Sequence, residues 1–274
     1  MKPLKILELF GGIGACSKAL ERLGIDYEIA DYVEIDKYAV ASFNAMHNTN
    51  FEPQDICEWN KDIEVDLIMH GSPCQDFSLA GLNKGGDEGS GTRSSLMYET
   101  IRIVDKLKPK YVIWENVKNV ISKKHIHNFN NYIDRMNELG YISYYQVLNA
   151  KDYGIPQNRE RVFTISIRKD IDKSYAFPPA QELKLKLKDM LEDEVVEKYY
   201  LSDEMIKNIR SNSPSNNDLS IPIKNATKKG YLEATEGDGI DISSRMQYHR
   251  GTVQKESIQT LDTQCNVGVV VKHE

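Results

Sequence analysis

The stretch Glu8-Leu9-Phe10-Gly11-Gly12-Ile13-Gly14 closes an apolar strand pattern over residues 5–9 and opens a helical pattern over residues 14–23. Glycines at a strand-to-helix turn permit a tight bend and let the backbone approach a ligand closely. The run is not the full G-x-G-x-x-G fingerprint of dinucleotide sites, so the turn alone leaves the ligand open. Outward from it, strand and helix patterns alternate through residues 1–170. Strands are expected over residues 5–9, 28–35, 65–71, 111–115, 143–149 and 162–167. Helices are expected over residues 14–23, 37–47, 94–107 and 130–139, the first and last closed by Gly24 and Gly140. Such alternation predicts an α/β fold, a parallel sheet with helices on both faces.

Composition shifts near Phe177-Pro178-Pro179, which predicts a larger domain over residues 1–177 and a smaller, loop-rich region over residues 178–274. That region holds a Lys/Glu-rich segment, a polar stretch over 211–220 and short β-like runs such as 267–271. No run approaches the length of a membrane span, and the N-terminus leads into a strand, not a signal-peptide core. The cysteines, Cys16, Cys57, Cys74 and Cys265, show no C-x-x-C spacing, so neither a zinc site nor a disulfide framework is suggested. A reducing, cytoplasmic compartment follows as the expectation. The net charge of −6 argues against a large nonspecific nucleic-acid surface. A local basic groove is still available from Ser122-Lys123-Lys124-His125-Ile126-His127 with Arg93, Arg159 and Arg161.

The chemistry-bearing residues fall at the ends of the expected strands. Ligands of open α/β sheets bind there, outside the carboxyl ends. Gly71-Ser72-Pro73-Cys74-Gln75 puts a thiol on a loop after the run Val65-Asp66-Leu67-Ile68-Met69, and Pro73 stiffens the turn that presents it. An isolated cysteine is more often buried and inert. The stretch 81–91, rich in glycine, reads as a lid-like loop after it. Glu34-Ile35-Asp36 ends the second strand, where a carboxylate can accept from ribose hydroxyls; a helix-start charge is the competing reading. The pair of segments suggests an adenosine-containing cofactor, a nicotinamide dinucleotide among the candidates. Glu115 closes an apolar strand and needs a partner or a role; such a site could raise its pKa enough to donate a proton. Arg159 and Arg161, two apart on a strand, are expected to point the same way, toward an anion or carbonyl oxygen, unless they form a surface salt-bridge ladder.

In this order the segments resemble the carbon-5 cytosine-specific DNA methyltransferases. The matching pieces are Phe10-Gly11-Gly12-Ile13-Gly14, Glu34-Ile35-Asp36, Asp55-Ile56, Gly71-Ser72-Pro73-Cys74-Gln75, Thr92-Arg93, Glu115-Asn116-Val117, Asp152-Tyr153-Gly154-Ile155-Pro156 and Gln157-Asn158-Arg159-Glu160-Arg161. The resemblance implies a Rossmann-like catalytic domain that binds S-adenosylmethionine through Phe10, Gly12, Ile13, Gly14, Glu34, Ile35, Asp55 and Ile56, with no metal. It implies double-stranded DNA as partner and a cytosine flipped out of the duplex. Cys74 would attack ring carbon 6, Glu115 would hold and protonate the ring nitrogen, and Arg161, supported by Arg159, would bind the carbonyl oxygen. Residues from about 180 onward take the place of the target-recognition region. Enzymes of this phage and bacterial type include those of restriction–modification systems.

The family's L-T-P-x-E-C segment and final G-N-x-V helix do not occur before Glu274. The resemblance therefore implies a region incomplete at its C-terminus, a fragment inactive alone, or a separate chain that supplies the rest. Other readings are a tRNA cytosine methyltransferase, a catalytically silent binder of cofactor or DNA, and a nicotinamide dehydrogenase. The dehydrogenase leaves Pro73-Cys74 and Glu115-Asn116 unexplained.

Overall fold

A computed structural model of the chain describes residues 2–73, 96–211, 220–243, 250–261 and 266–271. Cys74, the stretch 81–91, Arg93, Cys265 and most of the polar stretch 211–220 lie outside the described residues. Two compact units make up the chain. One is Met1–Leu148 with Glu160–Pro178, and the other is Asn149–Arg159 with Pro179–Glu274. Residues 149–159 join the second unit through backbone pairing: Gln157 and Asn158 pair with Ile258 and Gln259, and Gln181 donates to the Asp152 carbonyl.

The first unit runs β1 (Leu4–Leu9), α1 (Ala15–Arg22), β2 (Tyr27–Val33), α2 (Lys37–His47), β3 (Leu67–His70), α3 (Met97–Leu107), β4 (Tyr111–Val117), α4 (Ile126–Glu138) and β5 (Tyr141–Asn149). After β6 (Gln157–Asn158), which belongs to the second unit, β7 (Glu160–Arg168) completes a six-stranded sheet in the order β2-β1-β3-β4-β7-β5. Strand alternation sorts the side chains between two helical layers. Ile6, Leu67 and Met69 pack with Leu20 of α1. Leu7, Leu9, Ile68, Val112 and Trp114 pack with Ile103 and Val104 of α3 and with Phe129, Tyr132 and Met136 of α4. Helices therefore cover both faces, and truncating a fully buried residue such as Ile68 to alanine costs about 2–5 kcal/mol.

Two expectations need correction. The sheet is mixed, not parallel throughout: β1, β2, β3 and β4 are parallel neighbours, but β7 runs antiparallel to β4. A parallel return needs a crossover of a dozen or more residues, usually a helix. The connection over residues 150–159 holds only a 3-10 turn and β6, so the chain comes back the other way. Helix α4 also begins at Ile126, ahead of the expected residue 130. Its start is set by the Ser122 carbonyl, which accepts from His125 and Ile126, without the side-chain cap that marks a helix start in a sequence.

The second unit is built from short pieces. Helix α5 (Asp203–Ile209) is capped by the Ser202 hydroxyl, and β8 (Ser220–Lys224) pairs antiparallel with β9 (Tyr231–Thr235). Strand β10 (Gly239–Asp241) lies antiparallel between β11 (Val253–Gln254) and β13 (Val267–Val269), while β12 (Ile258–Gln259) runs parallel to β6. The core is small, with Ile209, Ile223, Ala234 and Ile240 at its centre. Buried Asp238 acts as its polar hub, accepting from Thr235, the Lys255 ammonium and the Glu256 amide. Burial pushes the Asp238 carboxyl up, but these donors outweigh it and hold the group below the ordinary carboxylate range. Among the described residues no helix is long and apolar enough to cross a membrane.

Candidate active site

Register places the strand ends side by side. Leu9 pairs with Val33 of β2 and with His70 of β3, and His70 pairs with Trp114 of β4. The residues that follow, Phe10, Glu34, Gly71 and Glu115, therefore line up along one edge, where Phe10, Glu34 and Gly71 leave the sheet and Glu115 stays in β4. Because β7 is antiparallel, its first residues reach the same edge: Arg161 pairs with Val117, and Phe163 with Glu115. A helical crossover in place of the short connection would have put Arg161 at the opposite end of the sheet.

At the β1–β2 half of the edge, acidic side chains hold backbone amides. One Glu34 oxygen accepts from the Gly12 N–H at 3.1 Å and the other from Asp36 at 2.9 Å. The Tyr32 hydroxyl donates to the Gly12 carbonyl at 2.6 Å. Phe10, Gly12 and Gly14 all have positive φ, with Gly14 forming the N-cap of α1. A Cβ on Gly14 would also lie 2.7 Å from the Phe43 ring, so conformation and space both demand glycine there. Asp36 takes the helix-start role, capping α2 through Tyr38 and Ala39. The Asp55 carboxylate accepts from Cys57, and Arg102 of α3 grips the Ile56 and Trp59 carbonyls. Ile35 is 67% exposed at the β2 end and Ile13 is exposed beyond the glycines, whereas the Ile56 side chain lies in the main core. Of the three, Ile13 and Ile35 offer apolar side-chain surface, and Ile56 does not.

The β3–β4–β7 half joins side chain to side chain. Arg161 Nε lies 3.0 Å from Glu115 Oε1, which supplies the partner a strand-end carboxylate requires. The Glu115 carboxylate sits over Gly71, where a Cβ would be 3.8 Å from Oε2. Ser72 and Pro73 continue the chain toward Cys74. Arg159 does not share the strand with Arg161. It lies between β6 and β7 in the other unit, its amide held by Asn149 Oδ1 and the Gln157 carbonyl. The expectation that both arginines lie on one strand is thus corrected: Arg159 falls between β6 and β7. In the suggested basic segment His125 is buried, while Lys123 and Lys124 are exposed.

Sequence reasoning missed Glu8. Its carboxyl is buried beneath the glycine turn, accepts from the Ser17 amide and hydroxyl, and is pushed up by burial despite them. The signal was present, since Glu8 interrupts an apolar strand as Glu115 does. Cys16, at the start of α1, is pushed up to about 12 by burial, with Glu8 and Glu115 adding to it. Cys57 is also raised, first by burial and then by Asp55. Neither described cysteine has the lowered pKa of a nucleophile. Among the described residues no group of His, Cys, Asp or Glu could hold a metal ion.

Comparison with known proteins gives consistent matches. The C-5 cytosine-specific DNA methylase family matches residues 4–272. The type II methyltransferase M2.ScrFI of Lactococcus lactis subsp. cremoris is 33% identical, over 74% of this chain and 71% of that protein. The orphan methyltransferase M.SPRI of Bacillus phage SPR is 34% identical over 81% of this chain; the match spans only 58% of the phage protein. The crystal structure of a Spodoptera frugiperda DNMT2 mutant superimposes with a TM-score of 0.63 at 25% identity, covering 76% of this chain and 66% of that one.

Proposed function

Since the chain belongs to the C-5 cytosine-specific DNA methylase family, we propose that it methylates carbon 5 of cytosine in duplex DNA, with S-adenosylmethionine as methyl donor. The observation that carries this reading is the Glu115–Arg161 pair, set over Gly71 on the one edge from which the chain runs into Ser72-Pro73-Cys74. The family description names DNA as the substrate, and relatives named as type II and orphan methyltransferases support the same reaction class. The catalytic domain over residues 1–177 would hold cofactor and chemistry, and residues 178–274 would form the target-recognition region.

The cofactor fits the residues present. A glycine turn with positive φ lets backbone approach a ligand, Glu34 stands at the second strand end for ribose hydroxyls, and exposed Ile13 and Ile35 offer apolar surface for a base. When bound, S-adenosylmethionine supplies an electrophilic methyl group. Glu34 keeps unused lone pairs beyond its two amide bonds, so it can hold the turn and accept from a ribose together. Phe10, Gly12 and Gly14 shape the floor, and Asp55 with the Ile56 backbone borders it.

The target base would leave its stack to reach this edge. The Cys74 thiolate would add to ring carbon 6, and the charge this places on the ring would be met by two groups. Glu115 would hold and protonate the ring nitrogen beside the amino group, and Arg161 would hydrogen-bond the carbonyl oxygen. Arg161 also orients Glu115 directly, since the two are already bonded. Carbon 5 then takes the methyl group, loses its proton, and expulsion of the Cys74 sulfur restores the aromatic ring.

Tritiated S-adenosylmethionine incubated with unmethylated duplex DNA and, separately, with tRNA tests this reading. Radioactive 5-methylcytosine in DNA, abolished by Cys74→Ala with unchanged thermal stability, is the expected result. Label in tRNA alone would replace the DNA substrate, and turnover by the alanine variant would remove Cys74 from the mechanism.

A further inference from the structure

Two side chains outside the reacting set converge on the residue that precedes Pro73-Cys74. Ser72 is 3% exposed, although it is the second residue past β3. Its hydroxyl accepts from the indole N–H of Trp114 at 3.0 Å, and its carbonyl accepts from the Asn116 side-chain amide at 3.2 Å. Trp114 and Asn116 are themselves 1% and 2% exposed and flank Glu115 in β4. Trp114 is wedged in turn by ring contacts with His70 at 5.8 Å, Tyr132 at 4.2 Å and Phe129 at 5.7 Å. The His70 ring is fixed by the Tyr132 hydroxyl at 3.1 Å.

A loop leaving a sheet normally has its polar groups in water. Here the exit is pulled inward and tied to the strand that carries Glu115. The indole N–H is buried, so it needs an acceptor, and Ser72 is the acceptor it has. One β4 residue on each side of Glu115 thereby grips the peptide from which the thiol hangs two residues later. The described start of the segment, Ser72, is thus held to the strand of Glu115 by two bonds.

We propose that Ser72 and Trp114 are positioning residues, whose side-chain hydrogen bond fixes the start of the Cys74 loop relative to Glu115. The proposal rests on the catalytic reading of Cys74 and adds to it a device that the reacting residues do not contain. Small displacements of a reacting group cost large factors in rate, on the order of a hundredfold for about 1 Å.

The test uses Ser72→Ala, Trp114→Phe and the double variant. Ser72→Ala leaves a buried N–H without its acceptor and is expected to lower the melting temperature. The double variant removes both partners and is expected to recover most of that loss, because a missing pair is tolerated better than a half pair. Positioning should not recover with it. Two readouts follow it: the iodoacetamide alkylation rate of Cys74 relative to Cys57, by peptide mass spectrometry, and kcat against KM for methyl transfer to unmethylated phage DNA. Roughly a threefold or larger change in the alkylation ratio is expected in all three variants, with kcat down by about tenfold or more and KM for the cofactor unchanged. Alkylation that tracks melting temperature and returns to the parent ratio in the double variant would reduce the bond to a structural one and overturn the proposal. An unchanged ratio in every variant would overturn it equally. If Cys74→Ala turns over normally, the catalytic reading fails instead, and the alkylation ratio still tells whether Ser72 anchors the loop.

Discussion

The two halves of the strand-end edge are built on opposite plans. Along β1 and β2, carboxylates bind backbone: Glu34 holds the amides of Gly12 and Asp36, and Asp55 holds that of Cys57. Along β3, β4 and β7, side chains bind side chains: Arg161 grips Glu115, and Trp114 grips Ser72. A backbone-held loop keeps its shape when neighbouring side chains vary, which suits a site for an invariant small molecule. A site of interlocked side chains depends on each member, which suits chemistry on a single atom.

The comparison breaks most visibly through Glu115. Glu115→Gln keeps the geometry but cannot deliver a proton, so its single-turnover methylation rate should fall by roughly a hundredfold or more while DNA binding persists. A rate equal to the parent's in rapid-quench experiments would make the glutamate a strand-end ion-pair partner and nothing else. Gly14→Ala attacks the other half. The Cβ would meet the Phe43 ring at 2.7 Å on a residue with φ of 83°, and a destabilisation of about 1–3 kcal/mol is expected in urea unfolding. Cofactor affinity measured by calorimetry should weaken alongside. Glu34→Ala is expected to be milder, about tenfold in cofactor affinity with the methylation rate at saturation preserved, because the Tyr32 hydroxyl and the Val33 carbonyl still hold the turn. A large loss of saturated rate instead would merge the two halves into one.

A separate effect concerns pH. Burial drives the His70 imidazole down to about 3 from its ordinary value near 6.5, so it stays neutral in the folded chain. Between those values the unfolded chain binds a proton that the folded chain does not. Stability must therefore rise with pH across that window and be lost as pH falls from about 6.5, by up to about 1.4 kcal/mol per unit. His70→Gln should flatten this contribution in urea titrations at stepped pH. An unchanged slope would assign the acid sensitivity to other groups.

Much of the first unit was legible because its strands and helices are periodic and its turns carry glycine. The run into Gly14, the strand before Gly71 and the strand that carries Glu115 all announce themselves as apolar patterns interrupted by polar residues. What escaped depends on contacts between distant residues. The hand of β7 follows from a connection too short for a helix, which periodicity does not measure. Arg159 leaves the strand of Arg161 because Asn149 holds its amide, a bond across the loop. Helix α4 starts on a backbone carbonyl, which no residue type marks. Ile56 matched a motif by its position, yet its side chain fills the core. The second unit was legible only as a change of composition, since strands of two to five residues leave no period, and Asp238 organises its ends by hydrogen bonds to Thr235, Lys255 and Glu256.

Both tryptophans of the chain, Trp59 and Trp114, lie in the first unit, buried and each with its indole N–H bonded, to Asp31 and to Ser72. Intrinsic emission excited at the red edge of the absorption band is thus a private reporter of that unit. The second unit is optically silent there and registers only through tyrosine and through circular dichroism. A denaturation curve read by both signals separates the two units without any label, and emission alone shows when the ring stack around Trp114 lets in water.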